Sequence, residues 1–331
     1  MVDIEGRIVD ERYRLLNAAG RGGMAHIWKA EDVGSGGVHR TVAIKRILPD
    51  LAHDPSLREM FADEARIVAS FNHPNIVRCH GAGDDVLGPY LALEWVDGMT
   101  LREMLGRAQG PLPVRIVVSV LVDMLSALDA IHSHREPRAD GRTLRATVLH
   151  RDISPSNVLV ARDGVAKLAD FGLARSIDRP RTAPRGTITG KLAYLPPEVL
   201  LGRPFAVRGD LYSLGVVAWE MLAGRRMFPG DPDDSQLPLR LVDPRRIPLR
   251  TVARGVPAPI ARWIDLAAST DPARRPASAR QFADALVHAA LDAGEWVGRA
   301  SVAEFLSTLT DRVSWTGSEH VPTLSGRASC A

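Results

Sequence analysis

The hydrophobic patterning of this chain changes once, near Gly98, and that change limits the folds open to it. Before it, Tyr13 to Ala18, Ala25 to Ala30 and Val42 to Leu48 are short runs of mixed or alternating polarity. Glycine-rich turns at Gly20–Gly23 and Gly34–Gly37 separate them, the pattern of strands joined by tight turns. One helix interrupts the strands. Asp54 can cap it, Pro55 suits its first turn, and Leu57, Met60, Phe61, Ala65, Val68 and Phe71 recur at helical spacing. Strand returns around Ile76 to His80 and Tyr90 to Val96. After Gly98, Thr100 to Arg107, Val114 to His132, Asp210 to Ala223, Pro257 to Ser269 and Ala277 to Leu291 carry helix-compatible patterns. Strands followed by helices predict an α+β architecture, with a small β-rich N-terminal lobe over 1–95 and a larger helical lobe over 96–292. Residues 293–331 read as a tail. In it Ser301-Val302-Ala303-Glu304 resembles a capping box opening one short helix, and the last twenty or so residues read as disordered.

Composition removes several classes. With 45% apolar and 24% charged residues among 331, the chain is of ordinary globular type. Its longest apolar stretch, Val114 to Ile131, is broken by Arg115, Asp123 and Asp129, and reads as a core helix rather than a membrane span. The start lacks the layout of a signal peptide. Cys79 and Cys330 fit neither a disulfide scaffold nor a zinc spacing, so a reducing, cytoplasmic setting is expected. A net charge of +3 gives no case for nucleic acid. Of 42 basic residues, only Lys29, Lys45, Lys167 and Lys191 are lysine, which raises the question of why arginine would not serve at those places.

Gly20-x-Gly22-x-x-Ala25 could let backbone N–H groups approach phosphate oxygens unobstructed. It also fits the dinucleotide-binding pattern that allows alanine in third place, but that pattern needs a helix directly after the loop. Here Ala25 to Ala30 reads as a strand, so the dinucleotide reading is disfavoured. A plain tight turn would account for the loop equally well on its own.

Further motifs follow in a fixed order. Val42-Ala43-Ile44-Lys45 ends an apolar strand, and Glu64 lies on the following helix. Then come His150-Arg151-Asp152-Ile153-Ser154-Pro155-Ser156-Asn157, Asp170-Phe171-Gly172 and Pro196-Pro197-Glu198. In this series, over roughly residues 11–291, the chain closely resembles the eukaryotic-like (Hanks-type) protein kinases, in particular their bacterial serine/threonine branch. Gly20 to Met24, His73 to Val77, Asp210 to Gly215 and Asp271 to Pro276 add to the resemblance.

The resemblance implies a bilobal kinase fold and transfer of the ATP γ-phosphate to serine or threonine hydroxyls of protein substrates. Such transfer needs charge neutralised on the phosphates and the nucleophile held in line. By resemblance, Lys45, positioned by Glu64, contacts the α- and β-phosphates. Asp170 and Asn157 hold Mg²⁺ (or Mn²⁺), for which oxygen ligands are apt. Asp152 orients the substrate hydroxyl and accepts its proton. Gly20, Gly22 and Gly23 cover the triphosphate. Ile27, Ala43, Leu93 and Leu159 enclose the adenine, with the backbone of Glu94 to Val96 hydrogen-bonding it. Glu198 with Arg275 forms a buried ion pair, and Asp210 braces the catalytic loop.

Two positions depart from the family pattern. Ser154 stands where serine/threonine kinases usually carry lysine, and Lys191 stands where they usually carry threonine. The two changes read as an exchange of partners, in which Lys191 supplies the missing ammonium and Ser154 is its hydroxyl partner. Ser176, Thr182, Thr187 and Thr189 are candidate phosphorylation sites, with Thr187 or Thr189 favoured and self-association for trans-autophosphorylation implied. His132 and His134 read as solvated loop histidines rather than metal ligands. Two rivals remain: a pseudokinase serving as a nucleotide-binding signalling module, and a small-molecule kinase of the aminoglycoside phosphotransferase type. Pro196-Pro197-Glu198, Asp210 and Arg275 speak against the latter.

Overall fold

The computed structural model describes residues 3–22, 24–34, 39–134, 136–137, 143–144, 148–171, 191–229, 236–243 and 245–311. The first lobe is an antiparallel sheet of β1 (Ile8–Val9), β2 (Tyr13–Arg21), β3 (Ala25–Asp32), β4 (Arg40–Ile47), β5 (Cys79–Asp85) and β6 (Gly88–Glu94), in the spatial order β1-β2-β3-β4-β6-β5. One helix, α1 (Pro55–Ala69), interrupts it. Alternation along the strands divides their side chains between two faces. Tyr13, Leu15, Val42, Ile44 and Tyr90 fill one side, and Ile47, Leu91 and Ala52 gather with Phe61 of α1 on the other. As expected, Asp54 caps α1, accepting from the amides of Ser56 and Leu57 at 2.8 and 3.3 Å.

Trp95 to Asp97 connect the lobes. Then follow β7 (Gly98–Thr100), α2 (Leu101–Ala108), α3 (Val114–His132), a two-residue ladder of β8 (Glu136–Pro137) and β9 (Thr143–Leu144), β10 (Val158–Ala161) and β11 (Ala166–Leu168). The remaining helices are α4 (Pro197–Leu200), α5 (Val207–Ala223), α6 (Leu237–Val242), α7 (Leu249–Val252), α8 (Ala258–Ala267), α9 (Ala279–Asp292) and α10 (Arg299–Asp311). Thr100 and Glu103 form a reciprocal capping box at the start of α2. Every residue of α5 from Gly209 to Leu222 is buried, so it is the central post of this lobe. Gly215 allows α8 to approach it closely, since a Cβ there would lie 2.8 Å from that of Ala267.

Three expectations are corrected. The strand predicted from Ile76 begins at Cys79, because Val77 instead donates its amide to Leu168 of β11 at 2.9 Å and Leu168 donates to Asn75 at 2.8 Å, tying the lobes together. The strand predicted to reach Val96 ends at Glu94, where the interlobe connector starts. Ser301 does not cap a helix: α10 already begins at Arg299. That helix docks on the helical lobe through Val302, Leu306 and Leu309, all buried. Its first turn presses on Gly164, where a Cβ would lie 2.1 Å from the Arg299 carbonyl oxygen. Burial of those three side chains contributes about 1.5–3 kcal/mol each, more than a cap would. The end of the tail, from 312 on, lies outside the described residues.

Candidate active site

Lys45 stands on β4, opposite Ile27 of β3 and Leu91 of β6. Helix α1 buries Phe61 and Val68, and Glu64, three and four residues from them, shares that face. The helix thereby presents Glu64 to the sheet. Lys45 Nζ donates to Glu64 Oε1 at 2.5 Å and to Asp170 Oδ1 at 2.9 Å. Burial works against the Lys45 charge, but the carboxylates of Asp170 and Glu64 outweigh it and hold the ammonium above its ordinary pKa. For Asp170 burial would favour the protonated acid, yet Lys45 keeps its pKa below the usual carboxylate value. Burial prevails at Glu64 and raises its pKa despite Lys45.

The segment between α3 and β10 supplies the opposite wall. Asn157 Nδ2 donates to the Asp152 carbonyl at 2.7 Å and to Asp152 Oδ2 at 2.9 Å, so the two side chains hold one another. Arg151 has a left-handed backbone, with φ of 65°, which costs a non-glycine residue about 1–3 kcal/mol. Buried Asp210 on α5 holds that turn, accepting from the amides of His150 and Arg151 at 2.9 and 2.8 Å. The expected brace is therefore made. His132 adds to it, its Nε2 lying 2.8 Å from Asp210 Oδ2. This corrects the reading of His132 as a solvated loop residue: it is buried at the end of α3. His134 rests on Phe71, with ring centroids 4.6 Å apart.

Asp170 also has a left-handed backbone, with φ of 57°. Its neighbour Phe171 turns inward, stacked on Phe71 at 5.5 Å and against His150 at 5.1 Å. The buried aromatic anchors the turn that carries Asp170 to Lys45. Away from the cleft, Arg275 grips Glu198 with two bonds of 2.7 Å, as the motifs imply.

The donor set fits a hard divalent cation. Asn157 donates through its nitrogen, leaving its side-chain oxygen to face a ligand, and Asp170 uses only Oδ1 on Lys45. Two oxygen donors suit Mg²⁺, which keeps several waters and takes other ligands from phosphates. Among the described residues no cluster of three or more His, Cys, Asp or Glu side chains could hold a metal by itself. A Cβ at Gly20 would meet nothing within 4 Å, and one at Gly22 only the Ala25 carbonyl oxygen at 3.5 Å. Internal packing therefore does not require either glycine, and both leave backbone exposed for an incoming group. The chain continues into β3 rather than a helix, which excludes the dinucleotide pattern. Gly23 lies outside the described residues. Ala43 pairs in register with Leu93, and Leu159 stands on β10 opposite Lys167. Among the described residues the Val96 amide has no hydrogen-bond partner, leaving a donor at the connector.

The expected pairing of Lys191 with Ser154 is not made. Ser154 Oγ is buried and has no hydrogen-bond partner among the described residues, while Lys191 Nζ donates to Asp152 Oδ2. Sequence reading also missed the other two lysines. Lys29 lies over the Trp95 ring at 5.1 Å, and Lys167 pairs with Glu94 Oε1 at 2.9 Å. All four lysines of the chain thus meet the cleft or the connector, so lysine scarcity was a usable signal. Ser176, Thr182, Thr187 and Thr189 lie outside the described residues.

An antiparallel sheet carrying a half-buried lysine–glutamate pair, set over a helical lobe that presents Asp152, Asn157 and Asp170, defines the bilobal kinase class. Residues 13–288 match the family described as protein kinase domain, and the chain belongs to the protein kinase family. It is 39% identical over 233 residues to the probable serine/threonine-protein kinase SCO3848 of Streptomyces coelicolor, covering 69% of this chain and 32% of that one. It is 32% identical over 315 residues to the tyrosine-protein kinase MasK of Myxococcus xanthus, covering 94% and 48%. The crystal structure of the Mycobacterium tuberculosis PknI kinase domain superposes with a TM-score of 0.62 at 26% identity, over 87% of this chain and 100% of that domain. The chain spans about a third of the length of the curated relatives it matches first, at 34%, 32% and 38%.

Proposed function

We propose that this chain is an ATP-dependent protein kinase that phosphorylates serine and threonine hydroxyls. The observation that carries this reading is Lys45 held between Glu64 and Asp170, facing a loop in which Asn157 fixes Asp152. Lys45 binds the α- and β-phosphates, and Glu64 keeps its ammonium in place. Ile27, Ala43, Leu93 and Leu159 enclose the adenine, with the backbone of Glu94 and Val96 as its polar contacts. Gly20, Gly22 and Gly23 cover the phosphates. Asp170 and Asn157 would hold Mg²⁺ or Mn²⁺, which when bound would neutralise charge on the phosphates. Asp152 orients the acceptor hydroxyl and takes its proton as the new P–O bond forms.

Lys191, from the segment before Leu192, supplies the ammonium that Ser154 cannot. Its contact with Asp152 places a compact cation beside the carboxylate that receives the proton, where the γ-phosphate must also come. A guanidinium fork would not fit as a point charge there. Protein substrates, self-association for autophosphorylation at Thr187 or Thr189 and a cytoplasmic setting complete the reading. Cys79 is a free thiol, which suits that setting.

The test is transfer of labelled γ-phosphate from ATP with Mg²⁺ or Mn²⁺, with Asp152→Asn as the control and phosphosites mapped by mass spectrometry. Label on serine or threonine that disappears in the variant supports the reading. Absence of transfer overturns it. The relative named as a tyrosine kinase makes tyrosine the alternative acceptor, and the same phosphoamino-acid analysis separates the two. Pro155, in the style of serine/threonine catalytic loops, favours the first.

A further inference from the structure

Beside the catalytic loop lies a pocket of about 240 Å³ whose walls include Arg102, Arg225, Arg226, Tyr194, Glu220 and Pro155. Four stretches distant in sequence build it: α2, the end of α5 with the turn after it, the loop after Asp152 and the turn after Lys191. Pro155 follows Asp152 by three residues, and Tyr194 follows Lys191 by three. Arg102 is fastened to the loop itself. Its amide donates to the Pro155 carbonyl at 2.9 Å, and its Nε donates to Ser156 Oγ at 2.8 Å. The pocket is thereby fastened to the loop that carries Asp152.

The charge in the pocket is one-sided. Glu220, its sole carboxylate, is buried and turned inward: Oε2 accepts from the Tyr194 hydroxyl at 2.8 Å and Oε1 from the Met227 amide at 3.1 Å. Burial raises its pKa, against the hydrogen bonds from Tyr194 and Met227 and the charges of Arg226 and Arg102. Both Glu220 oxygens are thus engaged within the fold, and its single charge is outnumbered by the three arginines. Arg225 and Arg226 are exposed, and among the described residues no carboxylate lies within ion-pair distance of them or of Arg102. Trp219 backs Arg225, whose guanidinium lies 5.8 Å from the ring centroid. Three guanidinium groups thus face a cavity large enough for one side chain, and a guanidinium binds a carboxylate with paired donors.

We propose that this pocket takes an aspartate or glutamate side chain of the substrate, making the enzyme selective for acceptor hydroxyls in acidic sequence. The inference rests on the kinase reading and deepens it by naming the substrate class. Selection works through charge in both directions: the arginines attract an acidic residue, and they repel the basic one that an exposed Glu220 would have welcomed.

Direct binding tests it without relying on turnover. Fluorescein-labelled peptides with alanine at the acceptor position and acidic, neutral or basic flanks are titrated with the whole chain and followed by fluorescence anisotropy. The acidic peptide is expected to bind about tenfold more tightly than the neutral one, with the advantage shrinking as salt rises. Arg225→Ala with Arg226→Ala should abolish the difference, and Arg225→Glu with Arg226→Glu should reverse it in favour of the basic peptide. Both sites are exposed, and melting curves check that each variant folds. Equal binding of the three peptides, or an acidic preference that survives both double variants, overturns the proposal. Failure of the kinase reading looks different: the wild-type chain would transfer no phosphate to itself or to any serine-containing peptide, whatever the anisotropy shows.

Discussion

Lys191 meets Asp152 within the helical lobe, its ammonium donating to the carboxylate Oδ2 of a residue 39 positions earlier in the chain. Ser154, two residues from Asp152, keeps a buried hydroxyl with no partner among the described residues. Lysine and carboxylate meet directly, without the serine. Four expectations follow from this and related contacts.

Lys191→Thr should lower kcat about 100-fold, as removal of one preorganised donor at a developing charge does, with a smaller change in the KM for ATP. Ser154→Lys alone should also cripple turnover, because it sets two ammonium groups at one carboxylate. The double variant restores a single ammonium from the other side and should recover much of the loss. Steady-state kinetics on the four proteins checks this, and purely additive losses would contradict the exchange of position.

Asp210→Asn should loosen the catalytic loop. An asparagine offers one acceptor oxygen where the carboxylate serves two amides, and a buried donor left unpaired costs about 1–3 kcal/mol. Hydrogen exchange at His150 and Arg151 should accelerate in the variant, together with a lower melting temperature. Unchanged protection at both amides would show that the turn does not depend on Asp210.

Glu198→Ala leaves Arg275 buried and charged without its partner, and should destabilise the fold by about 3–5 kcal/mol. Replacing both members with Met and Leu should cost clearly less, since an apolar pair carries no desolvation penalty. Urea denaturation of the three variants decides between these outcomes. A double variant as unstable as Glu198→Ala would mean that the loss comes from packing rather than charge.

His150 should take up a proton only below its ordinary pKa. Burial depresses its pKa below the ordinary 6.5. Its contacts agree: Nε2 lies 3.2 Å from the Ala169 carbonyl oxygen, which can only accept, and Nδ1 accepts from the Asp152 amide at 3.4 Å. Protonation would set two donors against each other there. The unfolded chain takes up this proton first, so the stabilisation from His150 is complete above pH 6.5 and is lost as pH falls from there through the depressed value. NMR titration of the labelled imidazole checks it, and a midpoint at or above 6.5 would contradict it.

Much of this was legible in the chain because the relevant signals are local. The Asp54 cap, the apolar face of α1 and the span of α3 follow from propensity and period within a few residues of themselves. The elements that cross lobes did not follow from such signals. Ile76 and Val77 read as strand, yet they bind Leu168, some ninety positions on. Ser301 and Glu304 have capping-box spacing, but Val302, Leu306 and Leu309 reach the core and draw the helix back to Arg299.

By itself the sequence offered the candidates for chemistry here: a lysine in an apolar strand, carboxylates in fixed strings and a glycine-rich loop. Those properties belong to residue type and short-range order. Tertiary structure decided the partners. It set Lys191 on Asp152 rather than Ser154, buried His132 against Asp210, and gathered Arg102, Arg225 and Arg226 around one pocket. Such contacts join positions tens of residues apart. Their energy comes from burial and charge pairing that exist only once the chain has packed, so no local pattern records them.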